Sequence, residues 1–156
     1  LIIDLRGNTG GYLSTVTNML EEFIDKGNVI YQIQSSSGVK QYKTVKASEK
    51  KYKIVVLIDG GSASASEIMS AAMKEVYGAT LVGQTTYGKG TVQTTKNLSN
   101  GSMIKYTIEK WLTPSGKNID KEGIKPDCEV ELGDSYKNNP TKENDAQLQK
   151  ALDLLK

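Results

Sequence analysis

The sequence predicts an α/β layered fold, because apolar runs of strand length alternate with segments of helical periodicity. Residues 1–5, 29–33 and 54–58 are short, largely apolar runs that predict strands. Residues 13–24 and 62–77 follow the first and third runs and repeat apolar residues at the spacing of a helix face. This order of elements is typical of a sheet layered against helices.

The first half of the chain contains the clearest boundaries between elements. The turn formers in residues 6–11 follow the first apolar run and predict a tight turn. Gly27 and Gly78 come after the two helical segments, where glycine commonly ends a helix. Shorter runs at 41–45 and 79–82 predict a weaker strand and a further short strand.

The second half begins with a glycine-rich loop, residues 83–90. Residues 91–97 and 103–112 form strands around Asn100-Gly101, a dipeptide that favours hairpin turns, so a β-hairpin is predicted. Residues 133–144 are polar and are expected to be irregular. Residues 146–155 predict a final amphipathic helix.

The composition excludes several functions. The chain has 156 residues, the size of one domain, and a formal net charge of +2, which provides no electrostatic footprint for nucleic acid. It has no histidine, which excludes Ser-His-Asp and Cys-His catalysis and metal sites that need imidazole, and no cofactor is expected. The single cysteine, Cys128, is expected to be structural because acidic neighbours disfavour a reactive thiolate.

A candidate nucleophile lies in the small-residue segment 60–67, between a predicted strand and a predicted helix. Ser64 is central in this segment, and the free N–H groups at the start of a helix can stabilise an oxyanion. Ser64 and Glu67 also fit a capping box, in which both side chains satisfy backbone N–H groups. Ser62 and Ser66 compete for either role.

Without histidine, a serine nucleophile needs another base, and a lysine serves only where its surroundings lower its pKa by about 3 units. Lys89 is the candidate, because the flanking Gly88 and Gly90 allow the backbone to bring its side chain inward. A solvated loop lysine is the alternative. Residues 83–89 also match most of a phosphate-binding P-loop, but Gly90 replaces the required Ser or Thr and a strand follows.

Five segments match one known pattern: 1–11, 61–68, 83–90 with Gln93, 112–116 and 123–127. Together they resemble the carboxyl-terminal processing peptidases, also called tail-specific proteases. They follow the family's order up to about residue 130, although Thr9 stands where the family usually has proline. The resemblance implies a crotonase-like and Clp-protease-like layered core with a β-hairpin. It also implies that residues 1–156 are part of a catalytic core, with a PDZ domain and the start of the core upstream.

The resemblance also assigns roles. It implies that Ser64 is the nucleophile, that Lys89 is the general base and that Gln93 supports the lysine from the same side of a strand. The backbone N–H groups of Ala65 and Gly10 would form the oxyanion hole. The implied reaction is endopeptidase cleavage, through an acyl-enzyme, near the carboxyl terminus of protein or peptide substrates with accessible tails. An extracytoplasmic location is expected by resemblance alone, and assembly into a homo-oligomer is left open.

Two other functions remain open from the sequence. A catalytically silent module could bind an extended peptide by strand addition to the hairpin. A crotonase-type enzyme acting on acyl thioesters would share the fold, although a shared fold does not determine function.

Overall fold

The computed structural model describes residues 1–48 and 52–156 and shows a mixed α/β fold, which confirms the predicted class. Its strands form one parallel and one antiparallel sheet. The strands are β1 (Ile2–Asp4), β2 (Val29–Ser35), β3 (Gly38–Lys43), β4 (Val55–Ile58), β5 (Thr80–Gly83), β6 (Thr91–Asn97), β7 (Met103–Leu112) and β8 (Cys128–Glu129). The α-helices are α1 (Leu13–Glu21), α2 (Ala65–Ala72), α3 (Asp134–Asn138) and α4 (Ala146–Leu155).

The parallel sheet has the order β1-β4-β5-β8, and helices cover both of its faces. Every residue of β4 is buried. Val56 and Ile58 belong to the core shared with α1 and α2, whereas Val55 and Leu57 pack in a second core with Ala151 of α4. Since successive strand residues point to opposite faces, the continuous apolar run of β4 fits this two-sided burial.

This sheet positions the candidate site, because the carboxyl ends of β1 and β4 are neighbours. Ile3 pairs with Val56 and Asp4 pairs with Leu57, so both strands end at the same edge. The loops that follow them, residues 5–11 and 59–64, therefore leave the sheet side by side. In α/β sheets, ligands bind beyond the carboxyl ends of the strands.

The antiparallel sheet has the order β3-β2-β7-β6 and contains the predicted hairpin, with both strands at their predicted bounds. A β-bulge interrupts the pairing of β6 with β7, since Val92 pairs with Glu109 but Gln93 pairs with Thr107. Within the described residues β6 lies at the edge of the sheet, and one side of its backbone has no partner strand.

The structure differs from the sequence prediction in several elements. Strand β3 runs from Gly38 to Lys43 rather than over residues 41–45, and α1 ends at Glu21 rather than at residue 24. Helix α2 begins at Ala65 rather than at residue 62, because residues 59–62 form a tight turn, and from Met73 to Tyr77 it continues as a π-helical turn. The segment expected to be irregular contains the short helix α3. Strand β8 was not predicted, because it is only two residues long and forms by pairing with β5.

Candidate active site

Ser64 occupies the turn between β4 and α2 in a backbone conformation that few L-residues adopt. Its φ and ψ angles are 57° and −116°. Such strain costs about 1–3 kcal/mol and is concentrated at functional sites. The nucleophile elbow of α/β-hydrolases is likewise a strained turn from a strand to a helix. The Ser64 side chain is half-buried, so a substrate can reach it at the edge of the sheet.

The two competing serines make structural hydrogen bonds. Ser62 is fully buried, and its Oγ donates to the Leu5 carbonyl oxygen at 2.8 Å. Ser66 is 3% exposed, and its Oγ donates to the Asn8 carbonyl oxygen at 2.9 Å. The Ser62 hydroxyl therefore connects the loop after β1 to the loop after β4, and the Ser66 hydroxyl connects the loop after β1 to the first turn of α2; Ser64 is the one serine of the three that is not buried.

Gly10 approaches Ser64 more closely than any larger residue could. A Cβ atom on Gly10 would lie 2.8 Å from the Ala63 carbonyl oxygen, 2.9 Å from Ser64 Cβ and 3.0 Å from the Ala65 nitrogen. Its φ angle of 103° is also one that favours glycine. The backbones of Gly10 and Ala65 thus lie beside Ser64, which is the arrangement that an oxyanion hole requires.

The two expected oxyanion donors differ in availability. The Ala65 N–H is the first of α2 and makes no hydrogen bond to another residue in the described part of the chain. The Gly10 N–H donates to Asn8 Oδ1 at 2.9 Å. Gly10 can therefore serve as an oxyanion donor only after the Asn8 side chain releases it.

Asp59, which the sequence analysis did not single out, connects the two loops. Its Oδ1 accepts hydrogen bonds from the N–H groups of Gly7 at 2.9 Å, Gly61 at 2.9 Å and Ser62 at 3.1 Å. The sequence did contain a signal for this role. Asp-Gly-Gly follows a buried strand, and aspartate commonly accepts hydrogen bonds from nearby backbone N–H groups in turns. Asp59 therefore fixes the spacing between the loop after β1 and the nucleophile turn.

Glu67 connects the backbones of the two expected catalytic residues. It is fully buried, and its Oε2 accepts from the Ser64 N–H at 2.8 Å and from the Lys89 N–H at 2.9 Å. Its Oε1 accepts from Thr86 Oγ1 and from the Gly88 N–H, both at 2.6 Å. Glu67 thus makes the predicted capping contact with the Ser64 backbone and also positions Lys89, so capping and catalysis are compatible at this turn.

Lys89 has a fixed backbone and an exposed side chain. Its carbonyl oxygen accepts a hydrogen bond from Trp111 Nε1 at 2.8 Å. Among residues 1–48 and 52–156, its Nζ makes no hydrogen bond or ion pair, to Ser64 or to any other residue. The prediction that the flanking glycines bring this side chain inward is therefore wrong for this structure, and the role of Lys89 as the base stays a prediction.

The flanking glycines allow close packing instead. A Cβ atom on Gly88 would lie 2.9 Å from the Lys121 carbonyl carbon, and one on Gly90 would lie 2.7 Å from the Asp120 nitrogen. The Lys121 N–H also donates to the Gly88 carbonyl oxygen at 2.8 Å. The Gly-Lys-Gly step thus packs its backbone against the loop at residues 119–123, and this contact fixes the position of Lys89.

Gln93 lies near the start of β6 with an exposed side chain. The strand begins only at Thr91, so strand alternation does not define the direction of Lys89 relative to Gln93. The described residues show no hydrogen bond between these two side chains. The support of Lys89 by Gln93 therefore stays a prediction.

A cavity of about 280 Å³ opens beside the close approach of Gly10 to Ala65. It lies between α1 and α2, and its wall is largely apolar, with Leu5, Val16, Met19 and Met69 among the residues that line it. Its position next to the expected oxyanion hole makes it suited to an apolar side chain of a bound peptide. Within the described residues, no group of three or more acidic or cysteine side chains is placed to bind a metal, and no helix is long and apolar enough to cross a membrane.

The model of peptidase family S41 matches residues 1–130, and the chain belongs to this family. The carboxy-terminal processing protease CtpA of Bacillus subtilis is 47% identical over 140 residues, which are 87% of this chain and 29% of CtpA. CtpB of the same organism is 43% identical over 141 residues, which are 90% of this chain and 29% of CtpB. The chain therefore spans less than a third of the length of these relatives.

The solved structures agree with this assignment. The photosystem II D1 C-terminal processing protease superposes with a TM-score of 0.77 and 33% identity, over 84% of this chain and 34% of that protein. A putative peptidase from Parabacteroides merdae superposes with a TM-score of 0.81 over 99% of this chain and 51% of its own, and at 20% identity it shows the shared fold. These findings confirm the family resemblance and define the chain as part of a carboxy-terminal processing serine protease family.

Proposed function

We propose that this chain is part of the catalytic core of a serine endopeptidase that cleaves proteins near their carboxyl terminus with Ser64 and Lys89. One observation supports this most directly. Ser64 stands half-buried in a strained strand-to-helix turn, and one buried carboxylate, Glu67, accepts hydrogen bonds from the backbones of both Ser64 and Lys89. A strained turn and a buried carboxylate are costly, and their combination is typical of a site under functional constraint.

The proposed reaction has two halves. Lys89, as a neutral amine, takes the Ser64 hydroxyl proton while Ser64 Oγ bonds to the scissile carbonyl carbon. The N–H groups of Ala65 and Gly10 stabilise the resulting oxyanion. The C–N bond then breaks, and Lys89 gives its proton to the leaving amine. Lys89 next takes a proton from a water molecule, whose oxygen bonds to the ester carbonyl carbon. The bond from this carbon to Ser64 Oγ then breaks, Lys89 returns the proton to Ser64 Oγ, and the new carboxylic acid leaves.

Two rearrangements must precede this reaction. The Lys89 side chain must move from solvent to Ser64 Oγ, and the Gly10 N–H must exchange Asn8 Oδ1 for the substrate oxygen. Catalytic hydrogen bonds are often incomplete in unliganded enzymes and form only in the complex. We propose that a bound peptide, together with the parts of the protein outside these 156 residues, brings both groups into place.

The substrate we propose is an accessible, unfolded carboxyl-terminal tail. The apolar cavity beside Gly10 and Ala65 would accept the side chain on the acyl side of the cleaved bond. The names of CtpA and CtpB describe carboxy-terminal processing, which agrees with a tail substrate. The crotonase-like and Clp-protease-like classification, an upstream PDZ domain, an extracytoplasmic location and a homo-oligomeric state are further proposals, supported by the family resemblance.

A peptide-binding module without catalysis is the second candidate. It is favoured by the unpaired edge of β6, to which an extended peptide could add as a further strand. The Lys89 side chain is exposed and makes no hydrogen bond to Ser64 in the described structure, which is also compatible with a binding module.

Cleavage of an unfolded protein separates the two candidates. The full-length protein that contains this chain is compared with Ser64→Ala, Lys89→Met and, as a matched control, Lys105→Met, which changes an exposed lysine of β7. We expect cleavage by the parent and the control, and a loss of at least about 10³-fold in the two site variants. Equal cleavage by parent and Ser64→Ala would refute the proposed function. Peptide binding without cleavage in all four proteins would support the binding module.

A further inference from the structure

Arg6 lies immediately before the loop that contains Gly10, and its side chain is nearly surrounded by acceptors. Its Nε donates to Asp4 Oδ1 at 3.0 Å and its Nη2 to Asp4 Oδ2 at 2.7 Å. Its Nη1 donates to Asp145 Oδ1 and to Gln147 Oε1, both at 3.0 Å. The hydrogen bonds that Arg6 donates to Asp4, and then to Asp145, outweigh burial and raise the pKa of Arg6, so the guanidinium is charged throughout the working pH range.

The second pair of acceptors belongs to α4, which lies beyond the residues that the family model matches. Asp145 is the N-cap of α4 and also accepts a hydrogen bond from the Leu148 N–H at 2.9 Å. Gln147 is fully buried, and its Nε2 donates to the Val130 carbonyl oxygen at 2.8 Å. The positions of Asp145 and Gln147 are thus fixed independently of Arg6, and they form a rigid receptor for its guanidinium.

The hydrogen bonds of Arg6 are one of the connections between the parallel sheet and residues 7–11, which we call the glycine loop. Among the described residues, this loop is fixed on its inner side by Asp59, which accepts from the Gly7 N–H, and by the Asn8 carbonyl oxygen, which accepts from the Ala63 N–H at 3.0 Å. Tyr12, which follows the loop, is 83% exposed. Arg6 therefore fixes the amino-terminal end of a loop whose other end is largely solvated.

We propose that Asp145, the N-cap of α4, and Gln147 in α4 are positioning residues for the glycine loop and act through Arg6. The inference rests on the proposed function, because it assigns these residues to the geometry of the Gly10 donor. An oxyanion donor contributes only at the correct distance from the developing charge, and a misplacement of about 1 Å can lower a rate by about 100-fold. Removing the α4 acceptors should therefore lower kcat more than it lowers substrate affinity.

Asp145→Asn is the informative variant, because asparagine is as good an N-cap as aspartate while it lacks the charge that pairs with Arg6. Leu148→Ala is the matched control, since Leu148 packs α4 against the second core and does not contact Arg6. In the full-length protein we expect Asp145→Asn to lower kcat about tenfold with KM within twofold of the parent. Leu148→Ala should lower the melting temperature and leave kcat unchanged below it.

Amide hydrogen exchange of residues 7–11 provides a second measurement that does not require activity. Asp145→Asn should accelerate exchange of the Gly7 and Gly10 amides, whereas Leu148→Ala should not. Unchanged kcat and unchanged exchange in Asp145→Asn would overturn the inference, and equal losses in both variants would overturn it as well, because α4 would then act only through general stability. A parent that cleaves no better than Ser64→Ala would refute the proposed function instead, while the exchange result would still test the role of α4.

Discussion

Replacing Glu67 with glutamine tests the contact that joins the two expected catalytic residues. The amide has one oxygen and one NH₂ group where the carboxylate has two acceptors. If the NH₂ replaces Oε2, the N–H groups of Ser64 and Lys89 both lose their acceptor. If it replaces Oε1, the Gly88 N–H loses its acceptor, but the Thr86 hydroxyl oxygen can accept from the new NH₂. We therefore expect the second orientation.

The loss of stability in Glu67→Gln follows from this orientation of the amide. The Gly88 N–H and the Thr86 hydroxyl hydrogen then both lose their acceptor, and each buried donor without one costs about 1–3 kcal/mol, so Glu67→Gln should lower the free energy of unfolding by about 2–4 kcal/mol. Because the retained oxygen still faces Ser64 and Lys89, activity should fall by tenfold or less. Glu67→Ala removes the acceptor of all four donors, so it should cost about 4 kcal/mol or more and abolish cleavage.

Urea unfolding and cleavage assays on the same preparations measure both effects. Glu131→Gln is the control, because Glu131 is exposed and should change stability by less than about 0.5 kcal/mol. A Glu67→Gln variant as stable as this control would show that the carboxylate does not satisfy these buried donors. A variant of reduced stability whose activity is lost as completely as in Glu67→Ala would refute the expected amide orientation.

Three further predictions concern backbone strain, close packing and pH. Ser64→Gly should be about 1 kcal/mol more stable than Ser64→Ala in urea unfolding, because glycine adopts a φ of 57° without strain, and equal stabilities would argue against strain at this turn. Gly10→Ala should lower stability by about 2 kcal/mol and reduce cleavage, because its Cβ would meet the nucleophile turn, whereas Gly11→Ala, whose Cβ has open space around it, should do neither. At Asp4, burial raises the pKa but the Arg6 hydrogen bonds outweigh it, so the folded-state pKa is lowered. The stabilisation by Asp4 is therefore fully present above its unfolded value of about 3.9 and is lost as the pH falls through the lower folded value, so Asp4→Asn should destabilise more at pH 7 than at pH 3. An equal loss of unfolding free energy at both pH values would contradict this assignment.

The elements that the sequence predicted well are those fixed by local pattern. The β4 run, the hairpin at 91–112 and the final helix at 146–155 have strong apolar or turn signals, and the structure confirms them. The strand β8 and the start of α2 were missed because they depend on pairing with β5 and on a turn around Asp59. Both the strand pairing and the turn are tertiary contacts, which the periodicity of apolar residues along the sequence does not reveal.

The candidate site divides in the same way, into features that the sequence indicated and features that only tertiary contacts revealed. Local sequence left Ser62, Ser64 and Ser66 as candidates and the family resemblance singled out Ser64, while the structure adds its positive φ angle and the hydrogen bonds that occupy Ser62 and Ser66. Sequence could not reveal that Glu67 bonds Lys89 as well as Ser64, because this contact joins residues from separate loops. The inward direction of the Lys89 side chain was expected from its glycines, but those glycines are explained by packing against residues 119–123.

Covalent labelling shows whether Ser64 is a nucleophile and whether Lys89 activates it. The full-length protein is treated with a peptidyl fluorophosphonate, in which a nucleophilic serine oxygen bonds to phosphorus and fluoride leaves, and the labelled residue is located by peptide mass spectrometry. The account predicts a single adduct on Ser64, and labelling at least about 100-fold slower in Lys89→Met than in Lys105→Met. An adduct on another serine, or labelling of Ser64 at the same rate in both lysine variants, would contradict it.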